Sequence, residues 1–198
     1  MHTQAQLLHR QFEAETQPFR KVHRMIDLFE VLIKSHTVVI MAEYFAHANI
    51  SDTAKGLLAQ GLRTPSLGTW QLFSRVLFQE LAVIDHQWQI LPMFPEEFSA
   101  LDKALNAEKT NIIAFRNGYA HGATPTDEKC TADINQYVPF LQKLLNSKWL
   151  AESVASVEDN KVCLRSSTGT LCLHPLLVAK ENDTAAPFVK TIGVFCPT

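Results

Sequence analysis

The chain has 198 residues, of which 46% are hydrophobic and 19% are charged, so its composition excludes a wholly disordered protein. Eighteen Lys and Arg residues against twenty Asp and Glu residues leave a net charge of −2, which excludes a polybasic coat for nucleic acid or anionic lipid. The four cysteines form no Cys-x-x-Cys pair and predict a reducing, cytoplasmic location. The polar amino-terminal stretch is not typical of a signal peptide, and we expect no membrane segment.

Helical periodicity fills the first three quarters of the sequence. Apolar residues recur near a 3.6-residue period over a long uninterrupted stretch, and Ser, Pro and Gly residues stand where helices should start or stop. The predicted helices span residues 19–48, 51–61, 67–84, a segment starting at Pro95, 107–121 and 131–147. Ser51 is the predicted cap of the second of these helices.

The last quarter of the chain changes to short runs rich in Val, Leu and Thr, which predict β-strands. Residues 161–165 and 170–179 are expected to form an antiparallel hairpin that places Cys163 opposite Cys172, as a buried apolar pair or, in an oxidising compartment, a disulfide. The two cysteines and His174 match no standard zinc spacing, so we expect no metal site.

These patterns together predict a mainly α protein. A helical domain is expected over residues 1–150, and a small antiparallel β appendage over residues 151–198, with a third strand at 189–195. Because the chain stops soon after that strand, the appendage could also be the start of a larger region.

The polar side chains that most clearly indicate a functional site lie in the segment Ile112–Gly122. Asn117 and His121 are four residues apart, so they share one face of a helix. Arg116 lies about 140° around the helix from His121, and its long side chain can swing onto that face. Gly122 is expected to adopt the left-handed conformation that ends a helix. Spacing alone also fits a capping histidine and a surface ion pair.

Arg116, Asn117 and His121 resemble the signature of the HEPN (higher-eukaryote and prokaryote nucleotide-binding) superfamily, in which His follows Arg after a short gap and a polar residue comes directly after Arg. The resemblance covers about residues 15–150. Further features similar to a bacterial branch of the superfamily are Phe29-Glu30 and Lys34 on the long helix, the turn at 65–68 with Trp70, and the ending 119–122.

The resemblance implies an all-helical domain that acts as a homodimer and cleaves RNA without a metal or another cofactor. In that reaction a base removes a 2′-OH proton, the oxygen attacks the adjacent phosphate, and an acid protonates the leaving 5′-oxygen. Arg116 would bind the phosphate, His121 would transfer the proton, and Asn117 would orient His121 or a phosphate oxygen. Lys34 and Tyr119 are the candidates for further substrate contacts.

Two functions stay open at this stage. The first is a ribonuclease, such as a toxin or defence effector held in check by a protein inhibitor. The second is a non-catalytic HEPN module that dimerises or docks associated domains in a signalling or defence protein. Metal-independent cleavage of RNA that depends on His121 would distinguish them.

The remaining polar and aromatic candidates have simpler interpretations. Lys34 and His36 are expected on a solvated face of the long helix, with an RNA or partner contact as the alternative for both. Trp70, Trp88 and Phe45 are expected in the core.

Overall fold

The computed structural model of the protein describes residues 2–47, 49, 51–61, 66–107, 111–122, 124–158 and 161–173. Within these ranges eight helices precede three short strands that form one antiparallel sheet in the order β1-β2-β3. This mainly α architecture with a small sheet confirms the predicted fold class. The elements are α1 (His2–Ala14), α2 (Pro18–His47), α3 (Asp52–Gly61), α4 (Leu67–Val83), α5 (Phe94–Asn106), α6 (Ile112–His121), α7 (Asp127–Leu145), α8 (Lys148–Glu152), β1 (Val154–Glu158), β2 (Lys161–Arg165) and β3 (Thr170–Cys172).

Helix α2 is the centre of the bundle. Every residue from Ser35 to Tyr44 is buried, because α2 is in contact with α1, α4, α6 and α7. The core side chains around it include Phe73 of α4, Phe94 of α5 and Trp149 of α8, all fully buried. Close packing on several sides of α2 explains why its central part is buried all round rather than on one stripe.

The small sheet packs on the same core. Leu164, Leu171 and Leu173 belong to the buried cluster that the helices form. The hydroxyl of Ser166 also donates a hydrogen bond to the carbonyl oxygen of Ile90 at 2.6 Å. The sheet therefore shares its buried surface with the helical part, and the predicted domain boundary at residue 150 stays a prediction.

Side-chain caps fix the helix starts. Ser51 and Ser66 accept backbone hydrogen bonds at the starts of α3 and α4, which confirms the cap predicted at Ser51. Asn111 caps α6 by accepting from the amide of Ala114 at 2.9 Å. The prediction of one helix over 107–121 was therefore wrong at its start, because the asparagine cap sets the first turn at Ile112.

Two further boundaries differ from the prediction. Thr126 accepts a hydrogen bond from the amide of Lys129, so α7 begins at Asp127 rather than at residue 131. Helix α1 was not predicted, since its sequence is mostly polar and only Ala5 and Phe12 are buried in its described part.

The hairpin register was predicted correctly. Cys163 lies opposite Cys172 in the ladder of β2 and β3, and β1 pairs with the other edge of β2. Strand β1 was not predicted. Cys163 is buried and Cys172 is exposed, so the prediction of a buried pair was wrong. Residues 174–179 of the predicted second hairpin strand, which include His174, and the predicted strand at 189–195 lie outside the described residues.

Several burial predictions also failed. His36 is 1% exposed although a solvated face was predicted, because the central part of α2 has no solvent-facing side. Phe45 is 37% exposed although it was predicted in the core, since it stands at the periphery of the bundle. Trp88 is half-buried against the core, and Trp70 is buried as predicted.

In the part of the chain that the structure describes, no helix combines the length and the apolar character needed to cross a membrane.

Candidate functional site

Glu30 of α2 holds two cationic side chains at the surface between α2 and α6. Its Oε1 atom accepts from Nε of Arg116 at 3.4 Å, and its Oε2 atom accepts from Nζ of Lys34 at 3.3 Å. The Arg116 and Lys34 side chains stay 36% and 37% exposed. Asp27 also lies near Glu30 and Lys34, but it is paired with Arg24 at 3.8 Å. The two cations around Glu30 therefore leave one excess positive charge that faces solvent, which suits an anion such as phosphate.

Asn117 completes the placement of the guanidinium group. Its Oδ1 atom accepts from NH1 of Arg116 at 3.3 Å. The sequence predicted that Asn117 would orient His121 or a phosphate oxygen. Within this single chain its side chain instead contacts Arg116, so Glu30 and Asn117 together fix two sides of the arginine fork.

His121 is the last residue of α6 and is exposed. Among the described residues, no side-chain hydrogen bond or ion pair involves its imidazole ring. Gly122 follows with φ −86° and ψ 174°, so the predicted left-handed conformation was wrong. The Gly122 amide donates to the carbonyl oxygen of Gly118 at 3.0 Å, and a Cβ atom at Gly122 would lie 2.3 Å from that oxygen. Glycine ends α6 because of this close approach.

Arg116 and His121 do not converge within one chain. Five residues of α-helix separate them by about 7.5 Å along the axis and about 140° around it. The Arg116 side chain turns toward Glu30 on α2 instead of swinging onto the face of His121. One chain therefore brings together Arg116, Lys34 and Asn117 around Glu30, and among the described residues no hydrogen bond or ion pair joins the His121 imidazole to them.

Tyr119 of α6 contacts α7 through its side chain. Its hydroxyl donates to Oδ2 of Asp133 at 2.8 Å, and burial together with this hydrogen bond raises the pKa of the Tyr119 phenol. The Tyr119 ring lines a cavity of about 350 Å³ between the two helices. The hydroxyl proposed from the sequence as a substrate contact is thus already bonded, while the ring borders open space.

A second titratable cluster lies at the other end of α2. Oε2 of Glu43 is 3.1 Å from Nε2 of His86 and 3.4 Å from Nε2 of His47. Burial raises the pKa of the Glu43 carboxyl to about 7, and burial followed by the nearby His47 lowers the pKa of His86. Asp85 has a φ of 51° and lies in the turn that places His86 beside Glu43.

Sequence reasoning missed this cluster and also missed the pairing of Glu30 with Arg116. The four-residue spacings Glu30–Lys34 and Glu43–His47 were the available signals, because side chains at that spacing are neighbours on a helix. The described residues contain no group of three or more His, Cys, Asp or Glu side chains arranged to hold a metal ion.

No protein-family model matches the chain, and neither a curated protein nor a solved structure matches it.

Proposed function

We propose that the chain is a metal-independent endoribonuclease of the HEPN type that works as a homodimer in the cytoplasm. One observation carries the proposal. Arg116 is anchored by Glu30 and Asn117 with part of its side chain exposed, and the same short helix ends in the exposed His121. A fixed guanidinium group can stabilise the charge on a phosphate, and an accessible imidazole can transfer a proton, which suits cleavage of RNA through its own 2′-hydroxyl.

The roles follow from these groups. A neutral imidazole takes the proton of the 2′-OH as the 2′-oxygen attacks phosphorus. The bond from phosphorus to the 5′-oxygen breaks, and an imidazolium donates the proton that the leaving oxygen needs. The products are a 2′,3′-cyclic phosphate and a free 5′-hydroxyl. Arg116 stabilises the charge that develops on the phosphate oxygens, and Lys34 adds positive charge beside it.

The divergence of Arg116 and His121 in one chain supports a homodimer. Each chain supplies one motif histidine, whereas the reaction uses a base and an acid. A two-fold axis that passes beside α6 would join two motifs at one cleft and provide both imidazoles. Light scattering at tens of micromolar should then show a dimer. This concentration lies well above the dissociation constants of stable dimers, which are on the order of nanomolar to micromolar.

The decisive experiment uses an RNA and a matched RNA that carries a single 2′-deoxynucleotide at the cleaved position. The wild-type chain should cleave the RNA in EDTA, leave a 2′,3′-cyclic phosphate and spare the 2′-deoxy bond. Arg116→Lys should lower the rate, since an ammonium group cannot reproduce a bidentate phosphate contact. A strict requirement for Mg²⁺, or cleavage of DNA at an equal rate, would contradict the proposal.

A second candidate function is a non-catalytic HEPN module that docks a partner protein. It is favoured by the exposed apolar side chains of Leu72, Val83 and Ile84 on and just after α4, which are 46%, 86% and 51% exposed. In that case the folded chain cleaves no RNA, and Val83→Asp weakens association while His121→Ala does not. A protein inhibitor of the ribonuclease could use the same exposed side chains.

A further inference from the structure

The cavity between α6 and α7 is separate from the cationic cluster around Glu30. It measures about 350 Å³, within the range of roughly 300–1,000 Å³ that is usual for small-molecule sites. Helix α6 contributes one wall and α7 the other, with Pro125 at the connection. The lining residues are Ala114, Phe115, Gly118, Tyr119, Pro125, Lys129, Asp133, Gln136 and Tyr137.

Aromatic rings form the apolar part of this cavity. Phe115 and Tyr137 stack with ring centroids 4.2 Å apart at 27°, and Phe115 meets Tyr119 edge-on at 5.1 Å. The rings come from two helices and pack on one another, so the aromatic wall is preformed. Tyr137 is 6% exposed behind Phe115, and the half-buried rings of Phe115 and Tyr119 provide the accessible surface. A flat, aromatic ligand is the chemistry that such a wall favours, because every nucleobase has a π-face that stacks on side-chain rings.

The charged groups of the cavity compensate one another. Asp133 is 5% exposed and accepts from the Tyr119 hydroxyl on one oxygen and from Nζ of Lys129 on the other, at 2.5 Å. One ammonium and one carboxylate give no net charge, in contrast to the excess positive charge around Glu30. The cavity therefore suits a neutral ligand with hydrogen-bonding edges better than it suits a phosphate.

We infer that this cavity is a subsite for a nucleobase of the RNA. The inference rests on the proposed function. A base inserted between α6 and α7 stacks on the aromatic wall, and its polar edge meets the ammonium of Lys129. The phosphate next to that base would then lie outside the cavity, toward the exposed groups of α6. Recognition of an unstacked base in a single strand is the usual route to sequence preference on RNA.

Gly118 places the cavity on the same side of α6 as His121. The two residues are three apart, so they are neighbours on the helix surface, with His121 about 4.5 Å further along the axis. An added Cβ atom at Gly118 would meet nothing within 4 Å. Because Gly118 lines the cavity, a larger side chain there would project into it from a Cβ position that is free of contacts.

The experiment measures binding rather than cleavage, in the full chain carrying His121→Ala so that no turnover occurs. Adenosine 5′-monophosphate and uridine 5′-monophosphate are titrated by calorimetry, with ribose 5-phosphate as the probe that lacks a base. At least one nucleotide should bind tenfold or more tightly than ribose 5-phosphate. Gly118→Leu should abolish most of that difference.

Gly56→Leu is the matched control, because Gly56 of α3 also has nothing within 4 Å of an added Cβ atom and does not line the cavity. Ala114→Leu is the second cavity-filling variant, should Gly118→Leu fail to fold. Equal binding of all three probes, or nucleotide binding that survives a folded cavity-filling variant, would overturn the inference.

The failure of this inference and the failure of the proposed function are distinguishable. If the wild-type chain cleaves RNA but the nucleotides bind no better than ribose 5-phosphate, the ribonuclease proposal is supported and the base subsite is contradicted. If the nucleotides bind in the cavity but no RNA is cleaved in EDTA, the base subsite is supported and the ribonuclease proposal is contradicted.

Discussion

The buried region around His36 and the exposed region around His121 use the same residue type in opposite ways. His36 lies in the centre of α2 and is 1% exposed. Its Nδ1 atom is 2.8 Å from the carbonyl oxygen of Leu32, and its Nε2 atom is 3.0 Å from Nε1 of Trp149. His121 stands at the end of α6 with its ring in solvent.

The contacts of His36 determine its protonation. The indole N–H of Trp149 can only donate, so Nε2 of His36 accepts and Nδ1 carries the hydrogen that it donates to Leu32. Both ring nitrogens are used by the fold. A histidine in this state is structural, whereas the ring of His121 is exposed to solvent, and this difference is why we propose His121 rather than His36 for proton transfer.

The largest expected effect is the loss of stability when His36 is removed. His36→Ala should lower the free energy of unfolding by about 2–4 kcal/mol, because it leaves the Trp149 indole N–H buried without its acceptor and opens a cavity. Urea unfolding measures the change, and His9→Ala, on the surface of α1, is the control with an expected change below about 0.5 kcal/mol. Equal effects of the two substitutions would mean that the buried hydrogen bonds contribute little.

A smaller effect is expected from acid. Burial lowers the pKa of His36 to about 4, so the unfolded chain binds more protons than the folded chain below the unfolded value of 6.5. The contribution of neutral His36 to the free energy of unfolding is fully present above pH 6.5 and is lost as the pH falls toward 4. At pH 5 the free energy of unfolding should be lower by about 2 kcal/mol. An NMR titration should find the ring of His36 neutral at pH 5.5, and a ring protonated near pH 6.5 would contradict this.

Glu43 should act with the opposite sign and more weakly. Because burial raises its pKa to about 7 from 4.5, the folded chain binds more protons between these values, and stability falls as the pH rises through 7. Glu43→Gln removes this penalty. The variant should gain stability over the wild type between pH 5 and pH 8, on the order of 1 kcal/mol after the contacts with His47 and His86 are considered.

Glu13→Gln is the control for that measurement, since Glu13 is exposed on α1 and also has a histidine four residues away. Its difference from the wild type should be nearly independent of pH. If Glu43→Gln behaves in the same way, the carboxyl group of Glu43 is not held in its protonated form by burial. The wild-type pH profile alone does not separate Glu43 from His36, because their effects partly cancel between pH 5 and 6.5.

The two regions also show how far the sequence could predict the structure. Periodicity and caps located most helices, because the 3.6-residue period and the Ser51 hydroxyl act over a few neighbouring residues. The same reasoning failed for His36, since a helix covered on several sides has no polar face to identify. Burial there depends on α8 packing against α2, which no local pattern encodes.

The candidate site follows the same rule. The order Arg116, Asn117, His121 is local and was recognised from the sequence, and its functional role stays a prediction. The partner of Arg116 is Glu30, 86 residues earlier in the chain, and only the packing of α6 on α2 brings them together. The wall of the cavity behind Gly118 likewise needs the contact of α6 with α7.

The most direct test of the central claim measures RNA cleavage in EDTA by the wild type, His121→Ala and His9→Ala at equal concentration. We predict that His121→Ala reduces the rate by about 100-fold or more, as expected for loss of an acid–base group. It should keep the wild-type unfolding midpoint, and His9→Ala should keep full activity. Undiminished cleavage by folded His121→Ala, or no cleavage of any RNA by the wild type, would contradict the assignment of catalysis to α6.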